Sequence, residues 1–400
     1  MKFHALSALG LALALAAGAA YAADGPVKIA VMNDQSSLYA DATGMGSVEA
    51  ARMAAEDAGP VLGAPVEIVF GDHQNKPDIG ISLAQKWYES EGVDVIADVP
   101  TSSVALGVQN VSRDRHKIVL FSGPATSDIT GPACSPYSAH WTYDTYALAH
   151  VTGAATVKAG GDTWFFLTAD YAFGKALERD TSTVVTASGG KILGHVLVPL
   201  NNQDFSSFLL QAQASKAKVI GLANAGGDTI NSIKAAHEFG IVEGGQKVAG
   251  LLVFITDVHA LGLPIAEGLS ITESFYWDLN DKTRAWSKRF YERMHKEATM
   301  NQAGTYSAVA HYLKAVKALG TKDPDKVMAK MREMPINDFM TDNGKLRIDG
   351  RVERDYYLFE AKKPSESKSE WDLYKLIATV PAKDAVRPLN EGNCPLVAKN

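Results

Sequence analysis

The sequence predicts an α/β protein of two similar lobes, each built on a doubly wound parallel sheet. Three observations carry that reading. β-Branched strands and apolar-periodic helices alternate strictly, with short loops, from residue 27 to residue 126. Small polar residues follow each of the four strands there, at Asn33 to Ser37, Asp72-His73, Thr101 to Ser103 and Ser122 to Thr126. A second strand-and-helix series begins near residue 163. Ligands of open parallel sheets collect just outside the carboxyl ends of the strands, so four polar loops in step describe one edge of one site.

In chain order, residues 1–22 read as an export signal. Met1-Lys2 is a short positive start, Leu6 to Ala20 is apolar, and Ala20-Tyr21-Ala22 is a small-x-small cleavage site. The apolar run is too short and too rich in Ala and Gly for a good membrane span. No cysteine near the cleavage point could carry a lipid. Strands follow at Val27–Met32, Val66–Phe70, Val93–Ala97 and Lys117–Phe121. Between them lie a helix at Ser47–Ala58, ended by Gly59, a helix through Lys86-Trp87, and an apolar helical run at Val104–Val111. The second series places strands at Thr163–Leu167, Ile192–Val198, Val219–Ala223, Val248–Phe254 and Leu269–Phe275. Its helices fall at Gly174–Ala187, Phe205–Ala214 and Thr229–Phe239. Three helices come next, at Lys282–Ala298, Gln302–Leu319 and Asp325–Met334. Two β-like runs, Asp355–Glu360 and Trp371–Val380, flank a polar turn and read as a surface hairpin. No soft linker separates the halves, which suggests that the chain crosses between lobes more than once.

The chain has 400 residues, 21% charged and 46% hydrophobic, as ordinary globular proteins have. Its formal charge is −6, or −7 once the leader removes Lys2, which argues against a nucleic-acid partner. Two cysteines, Cys134 and Cys394, in an exported chain suggest one disulfide; two free buried thiols are the alternative. There is no G-x-S-x-G elbow, no H-E-x-x-H and no C-x-x-C, so neither a hydrolase nor a metal site is expected, and no cofactor. A regulator of this fold would need a DNA-binding helix pair where the leader stands. A receptor ectodomain would need a following membrane span.

The stretch Asp98–Leu106, DVPTSSVAL, sets three hydroxyls after a strand and before a helix. A helix N-terminus there offers unpaired N–H groups to an anion. A plain helix cap is the competing account. With VKIAVM at 27–32, SGPAT at 122–126, LTADYAFGKAL at 167–177 and VIGLANAGGDT at 219–229, the chain resembles the periplasmic substrate-binding proteins of ABC importers, of the type I, branched-chain-amino-acid-like group. FYWDLND at 275–281 and CSPYSAHWTYD at 134–144 are similar to a subgroup associated with aromatic acids.

That resemblance implies two Rossmann-like lobes joined by three crossovers, with a ligand cleft between them. Lobe 1 would comprise residues 24–144 and 277–351, lobe 2 residues 145–276 and 352–381. The tail, 382–400, would return to lobe 1 and bring Cys394 to Cys134. Thr101, Ser102 and Ser103, with Ala125 and Thr126, would hold a ligand carboxylate. Tyr39 from lobe 1 would face Tyr171 and Phe173 from lobe 2 across an apolar slot able to sandwich a ring. Packing within a lobe is the other account of Tyr39 and Phe173. Asn224, Gly226 and Asp228, then Phe254 and Thr256, would stand on the next lobe-2 loops. Amino-acid binders of the group carry an acidic residue there for the ammonium. Asp257 could serve; if Thr256 takes the place, an amine loses its partner. The implied function is extracytoplasmic capture of a small organic acid, an aromatic carboxylate of benzoate or cinnamate kind. A branched-chain amino acid or an amide or urea is the alternative. The protein would be a periplasmic monomer delivering to an ABC permease in the inner membrane. His140-Trp141 reads mainly as packing, Tyr276-Trp277 as packing or cleft wall, and His73 as a polar loop residue.

Overall fold

The strand β1 (Lys28–Asn33) is buried on both faces along nearly its whole length, as a strand covered by helices on either side must be. It pairs in parallel with β2 (Glu67–Asp72) and β3 (Val95–Asp98). β4 (Ile118–Phe121) and β5 (Ser138–His140) extend the sheet to the order β2-β1-β3-β4-β5. The computed structural model describes residues 25–397, so the export signal expected at 1–22 lies outside them. Helices α1 (Gly44–Ala58), α2 (Pro77–Glu89) and α3 (Ser102–Asp114) connect the first four strands. α2 and α3 cover one face through Ala84, Trp87, Val104 and Val108. α1 covers the other through Val48, Ala51 and Ala54.

After β5 the chain runs through α4 (Thr145–Leu148), a π-turn (Ala149–Gly153) and α5 (Ala154–Lys158) into a second sheet. Its strands are β6 (Thr163–Ala169), β7 (Lys191–Val198), β8 (Val219–Ala223) and β9 (Lys247–Gly250), all parallel in the order β7-β6-β8-β9. The winding repeats that of the first sheet. α6 (Ala172–Ala187), α7 (Ser206–Ala214) and α8 (Gly227–Glu238) cover it on both faces. Short α9 (Ile255–Leu261) and α10 (Leu263–Ala266) lead to β10 (Ser270–Glu273).

The chain then returns to the first lobe. α11 (Asp281–Met294) is followed by α12 (Met300–Leu319), whose Val309, Leu313 and Val316 share a core with the alanines of α1. α13 (Pro324–Glu333) precedes a small hairpin of β11 (Lys345–Leu346) and β12 (Val352–Glu353). β13 (Tyr356–Ala361) and β14 (Tyr374–Val380) form the expected hairpin, but it is not confined to the surface: β13 is the middle strand between β10 and β14 and buries Tyr356 and Phe359. The tail closes on the first lobe through the Cys134–Cys394 disulfide, so the two cysteines are not free thiols.

Three expectations are corrected. The strand expected to reach Phe254 stops at Gly250, and residues 251–254 leave the sheet before α9. The strand expected at 269–275 is no member of the parallel sheet. It pairs antiparallel with β13, because the chain arrives through α9 and α10 without a full crossover. β5 was not foreseen, being three residues of mixed polarity.

Where the chain passes between lobes, a buried ion pair joins two crossings. Arg351 Nε lies 2.9 Å from Asp144 Oδ2, and both side chains are 1% exposed. Arg351 Nη1 donates to the His140 carbonyl at 3.1 Å, and Nη2 reaches the Tyr356 hydroxyl, which donates to the Thr142 carbonyl at 2.5 Å. Burial pushes the Asp144 carboxyl up, but Arg351, His140 and the Ala147 N–H outweigh it and hold the pKa below the ordinary value. Replacing Arg351 by Met strands a buried carboxylate. The expected loss is about 3–5 kcal/mol in urea unfolding, most of it recovered when Asp144→Leu is added.

β10 carries the opposite case. Glu273 is buried in a core with Ile271, Phe359 and Tyr374, and its Oε2 has no hydrogen-bond donor. Burial, reinforced by the neighbouring Asp257, raises its pKa well above the ordinary 4.5. The folded state therefore holds this proton more tightly than the unfolded chain. That contribution is fully present below about pH 4.5 and is lost as pH rises through the folded-state pKa. Glu273→Gln is expected to flatten the fall in unfolding free energy from urea titrations between pH 6 and pH 9, at about 1.4 kcal/mol for each unit by which the folded pKa exceeds the unfolded one.

Candidate ligand-binding cleft

In each sheet the strand order reverses beside its first strand, between β1 and β3 and between β6 and β8. Such switch points open a crevice at the carboxyl ends. The loops that leave them meet across the cleft.

After β1 the chain turns around one carboxylate. Asp34 accepts from the backbone N–H groups of Ser36, Ser37 and Tyr39 at 3.3, 3.0 and 2.8 Å, and from Asn75 Nδ2 at 2.7 Å. This turn presents Tyr39 to the cleft. After β3, Asp98 and Val99 both take left-handed backbone angles, φ 80° and 55°. Such residues cost on the order of 1–3 kcal/mol each and persist only where surroundings over-determine them. Here Asn33 Nδ2 (3.0 Å) and Ser122 Oγ (3.2 Å) donate to the Asp98 carboxyl, and the Ser122 and Gly123 N–H groups to its carbonyl, both at 3.3 Å. Burial pushes that carboxyl up to about 6, against the lowering by Ser47, Asn33 and Ser122. The strained turn sets Pro100 against the cleft and starts α3, whose N-cap Thr101 makes no capping bond with its side chain. The first-turn N–H groups of a helix have no partner within the helix, and Pro100, just ahead of α3, lines the cleft.

A small cavity lies between the lobes. Lobe 1 lines it with Tyr39, Ala42, Thr43, Pro100, Gly123, Ala125, Tyr143 and Asn301, lobe 2 with Tyr171, Phe173, Ala225, Leu252 and Phe254. Among the described residues no Lys, Arg, His, Asp or Glu lines it. The Tyr143 hydroxyl donates to the Gly123 carbonyl at 2.7 Å, and the Asn301 carboxamide lies beside it. Asn301 sits on the first turn of α12. A capping box joins Thr299 and Gln302 there, and Gln302 Nε2 donates to the Thr43 carbonyl at 3.1 Å. One wall of the cavity is thus fastened to the Tyr39 loop.

Of the residues named from sequence, Tyr39, Ala125, Tyr171, Phe173 and Phe254 line this cavity, and all but Tyr171, which packs against them, belong to a core cluster. The hydroxyls stand behind the wall. Thr101 Oγ1 donates to Asn75 Oδ1, the Thr126 N–H donates to Ser102 Oγ at 3.2 Å, and Thr126 Oγ1 accepts from the Asp128 N–H at 3.3 Å. Ser103 is half-buried on α3. The Asn224 carboxamide is occupied inside lobe 2, donating to Ser232 Oγ at 3.0 Å and accepting from Thr229 Oγ1 at 2.7 Å. Gly226, Thr256 and Asp257 line a separate polar recess at the cleft mouth, opposite Ser36, Ser37 and Asp41. Asp257 Oδ2 accepts from the Phe254 N–H at 2.9 Å and so caps α9, while Asp228 accepts from the N–H groups of Asn201 and Asn202. His140, Trp141, Tyr276 and Trp277 are hydrogen-bonded inside the protein, and His73 is buried beside Asn75. Tyr143 and Asn301 escaped the sequence reading. The T-x-x-Q pattern at 299–302 signals a helix start that puts Asn301 in a first turn. Among the described residues no cluster could hold a metal ion, and no helix is long and apolar enough to cross a membrane.

The family model for periplasmic binding proteins matches residues 26–368. A periplasmic binding protein from Burkholderia mallei is similar in structure, with TM-score 0.91 and 51% identity, over 93% of this chain and 99% of that one. A branched-chain amino acid ABC transporter periplasmic ligand-binding protein from Burkholderia xenovorans has TM-score 0.82 and 42% identity, over 92% and 99%. A solute-binding protein of an ABC transporter from Rhodopseudomonas palustris, solved with 4-hydroxybenzoate, shares the fold at TM-score 0.80 and 22% identity, over 89% and 97%.

The lobes touch. The Tyr39 and Tyr171 hydroxyls are hydrogen-bonded at 2.5 Å, Arg179 pairs with Asp128 at 3.1 Å, and the Gly227 N–H reaches the Leu38 carbonyl at 3.4 Å. Gly226 permits this approach: a Cβ there would lie 2.6 Å from the Leu38 carbonyl oxygen, at φ 59°. Gly226→Val is therefore expected to hold the lobes apart. The check is a larger radius of gyration than wild type by small-angle X-ray scattering, with cooperative unfolding retained.

Proposed function

The chain belongs to the periplasmic binding protein family, and on that premise we propose that its cleft captures an aromatic carboxylate. One observation carries the proposal: the cavity wall holds Tyr39, Tyr143, Tyr171, Phe173 and Phe254 and no charged side chain. Aromatic walls on both lobes suit a ring, which prefers offset or edge-on aromatic neighbours. A buried ammonium needs an anionic partner, and this wall supplies none. A carboxylate can instead be met by neutral donors, the open N–H groups of α3 and the backbone beside Ala125. Thr101, Ser102, Ser103 and Thr126 shape that anion end by clipping its loops together. Asn224, Gly226 and Thr256 shape the face of lobe 2.

In this reading residues 24–144 and 277–351 form lobe 1, residues 145–276 and 352–381 form lobe 2, and 382–400 return to lobe 1. A monomer exported to the periplasm by its leader closes on the acid and delivers it to the permease of an ABC importer. The protein binds and does not turn over its ligand. The name of the B. xenovorans relative favours a second reading, a branched-chain amino acid. Asp257 at the cleft mouth would then have to meet the ammonium.

A thermal-shift screen of ligand-stripped protein separates the two. At a thousandfold excess over Kd a ligand adds about 4 kcal/mol to stability. Benzoates are expected to raise Tm by several degrees and leucine, isoleucine and valine to leave it unchanged. The reverse pattern would replace the aromatic-acid reading by the amino-acid one.

A further inference from the structure

Asn301 is 1% exposed and lines the cavity, yet its Oδ1 has no hydrogen-bond donor within the protein. A buried acceptor left unmatched is the exception in folded proteins, and each one asks for a partner. The other polar groups of the wall are accounted for. The Tyr143 hydroxyl spends its proton on the Gly123 carbonyl, and Thr43 Oγ1 donates to the Tyr39 carbonyl at 3.0 Å. In the Tyr39–Tyr171 pair one hydroxyl donates to the other, and a single phenolic proton is left over. The backbone that carries Asn301 is held in place. Its helix start is capped by Thr299, whose Oγ1 donates to the Ala42 carbonyl at 2.6 Å, and Thr305 Oγ1 holds the Asn301 carbonyl at 3.0 Å.

The unmatched acceptor is the wrong group for a carboxylate, which would meet it oxygen to oxygen. It is the right group for a hydroxyl, which donates. We infer that Asn301 is a specificity-determining residue that reads a hydroxyl substituent on the ligand ring through its Oδ1, so that the site prefers hydroxylated aromatic acids to the bare acid. This inference rests on the aromatic-acid reading above and adds the substituent. The carboxylate lies at the α3 end, and the ring hydroxyl points to α12. A ligand without the hydroxyl seals the acceptor away from water unpaired, and a site built that way rejects the analogue that lacks its donor.

Isothermal titration of ligand-stripped wild type and Asn301→Leu with benzoate, 3-hydroxybenzoate and 4-hydroxybenzoate tests this. Wild type is expected to bind at least one hydroxybenzoate roughly tenfold or more tightly than benzoate. In Asn301→Leu that ratio falls to about one. Asn301→Ala, read in the same way, serves should the Leu variant lose its cooperative unfolding. A hydroxyl preference that survives both substitutions, or binding of all three acids without preference in wild type, overturns the role of Asn301 and leaves the aromatic-acid reading standing. Failure of all three acids to bind wild type overturns both.

Discussion

The structure depends on the Arg351–Asp144 pair where the chain crosses between lobes. A two-lobed binder must be stiff within each lobe and mobile between them, so its crossings cannot be tied down by a large core. A few strong, directional contacts have to set where the strands pass. Arg351 does this from below, gathering the His140 carbonyl, the Asp144 carboxylate and the Tyr356 hydroxyl around one guanidinium. Removing two charges from water is costly, and a buried pair stabilises only where geometry is good and remaining groups are satisfied. Asp144 meets the condition by also accepting from the Ala147 N–H at 2.8 Å, which starts the helix entering lobe 2. The same carboxylate thus ends one lobe and begins the other.

That anchoring explains why the site can be assembled from loops. Apart from Asn301 on α12, the cleft residues lie on loops that follow strands, and the two sheets share one winding, so two switch points face each other. Lobe 1 contributes the rigid half. Its Asp34 turn, the strained Asp98–Val99 turn and the capped start of α12 are bound to one another by side chains. Lobe 2 contributes flat apolar cover from Tyr171, Phe173, Leu252 and Phe254. Orientation of a ligand falls to the first lobe and enclosure to the second.

Much of this was legible in the sequence because alternation of strand and helix is a local signal. The family resemblance set Tyr39 opposite Tyr171 and Phe173, and the structure brings the three side chains to one cavity. What was not legible depends on contacts between distant segments. Asn301 and Tyr143 meet Gly123 only when the third pass of the chain lays α12 on α1. The left-handed pair Asp98–Val99 carries no glycine to advertise it, because hydrogen bonds from Asn33 and Ser122 impose the conformation. The three consecutive hydroxyls looked like ligand donors, but their neighbours Asn75 and Thr126 engage two of them. Residues 251–254 are as apolar as any strand, yet they leave the sheet to cover the cleft.

The hydroxyl contact between Tyr39 and Tyr171 has a kinetic side. It gives the shut form an attraction of its own, and a net hydrogen bond contributes about 1 kcal/mol. An unliganded molecule that rests shut must reopen before anything enters, so the apparent affinity is reduced in proportion to the fraction standing open. The two phenols therefore act as a latch whose strength sets waiting time as well as grip. Loss of either hydroxyl with its ring kept would retune how fast the binder loads and leave the aromatic walls in place.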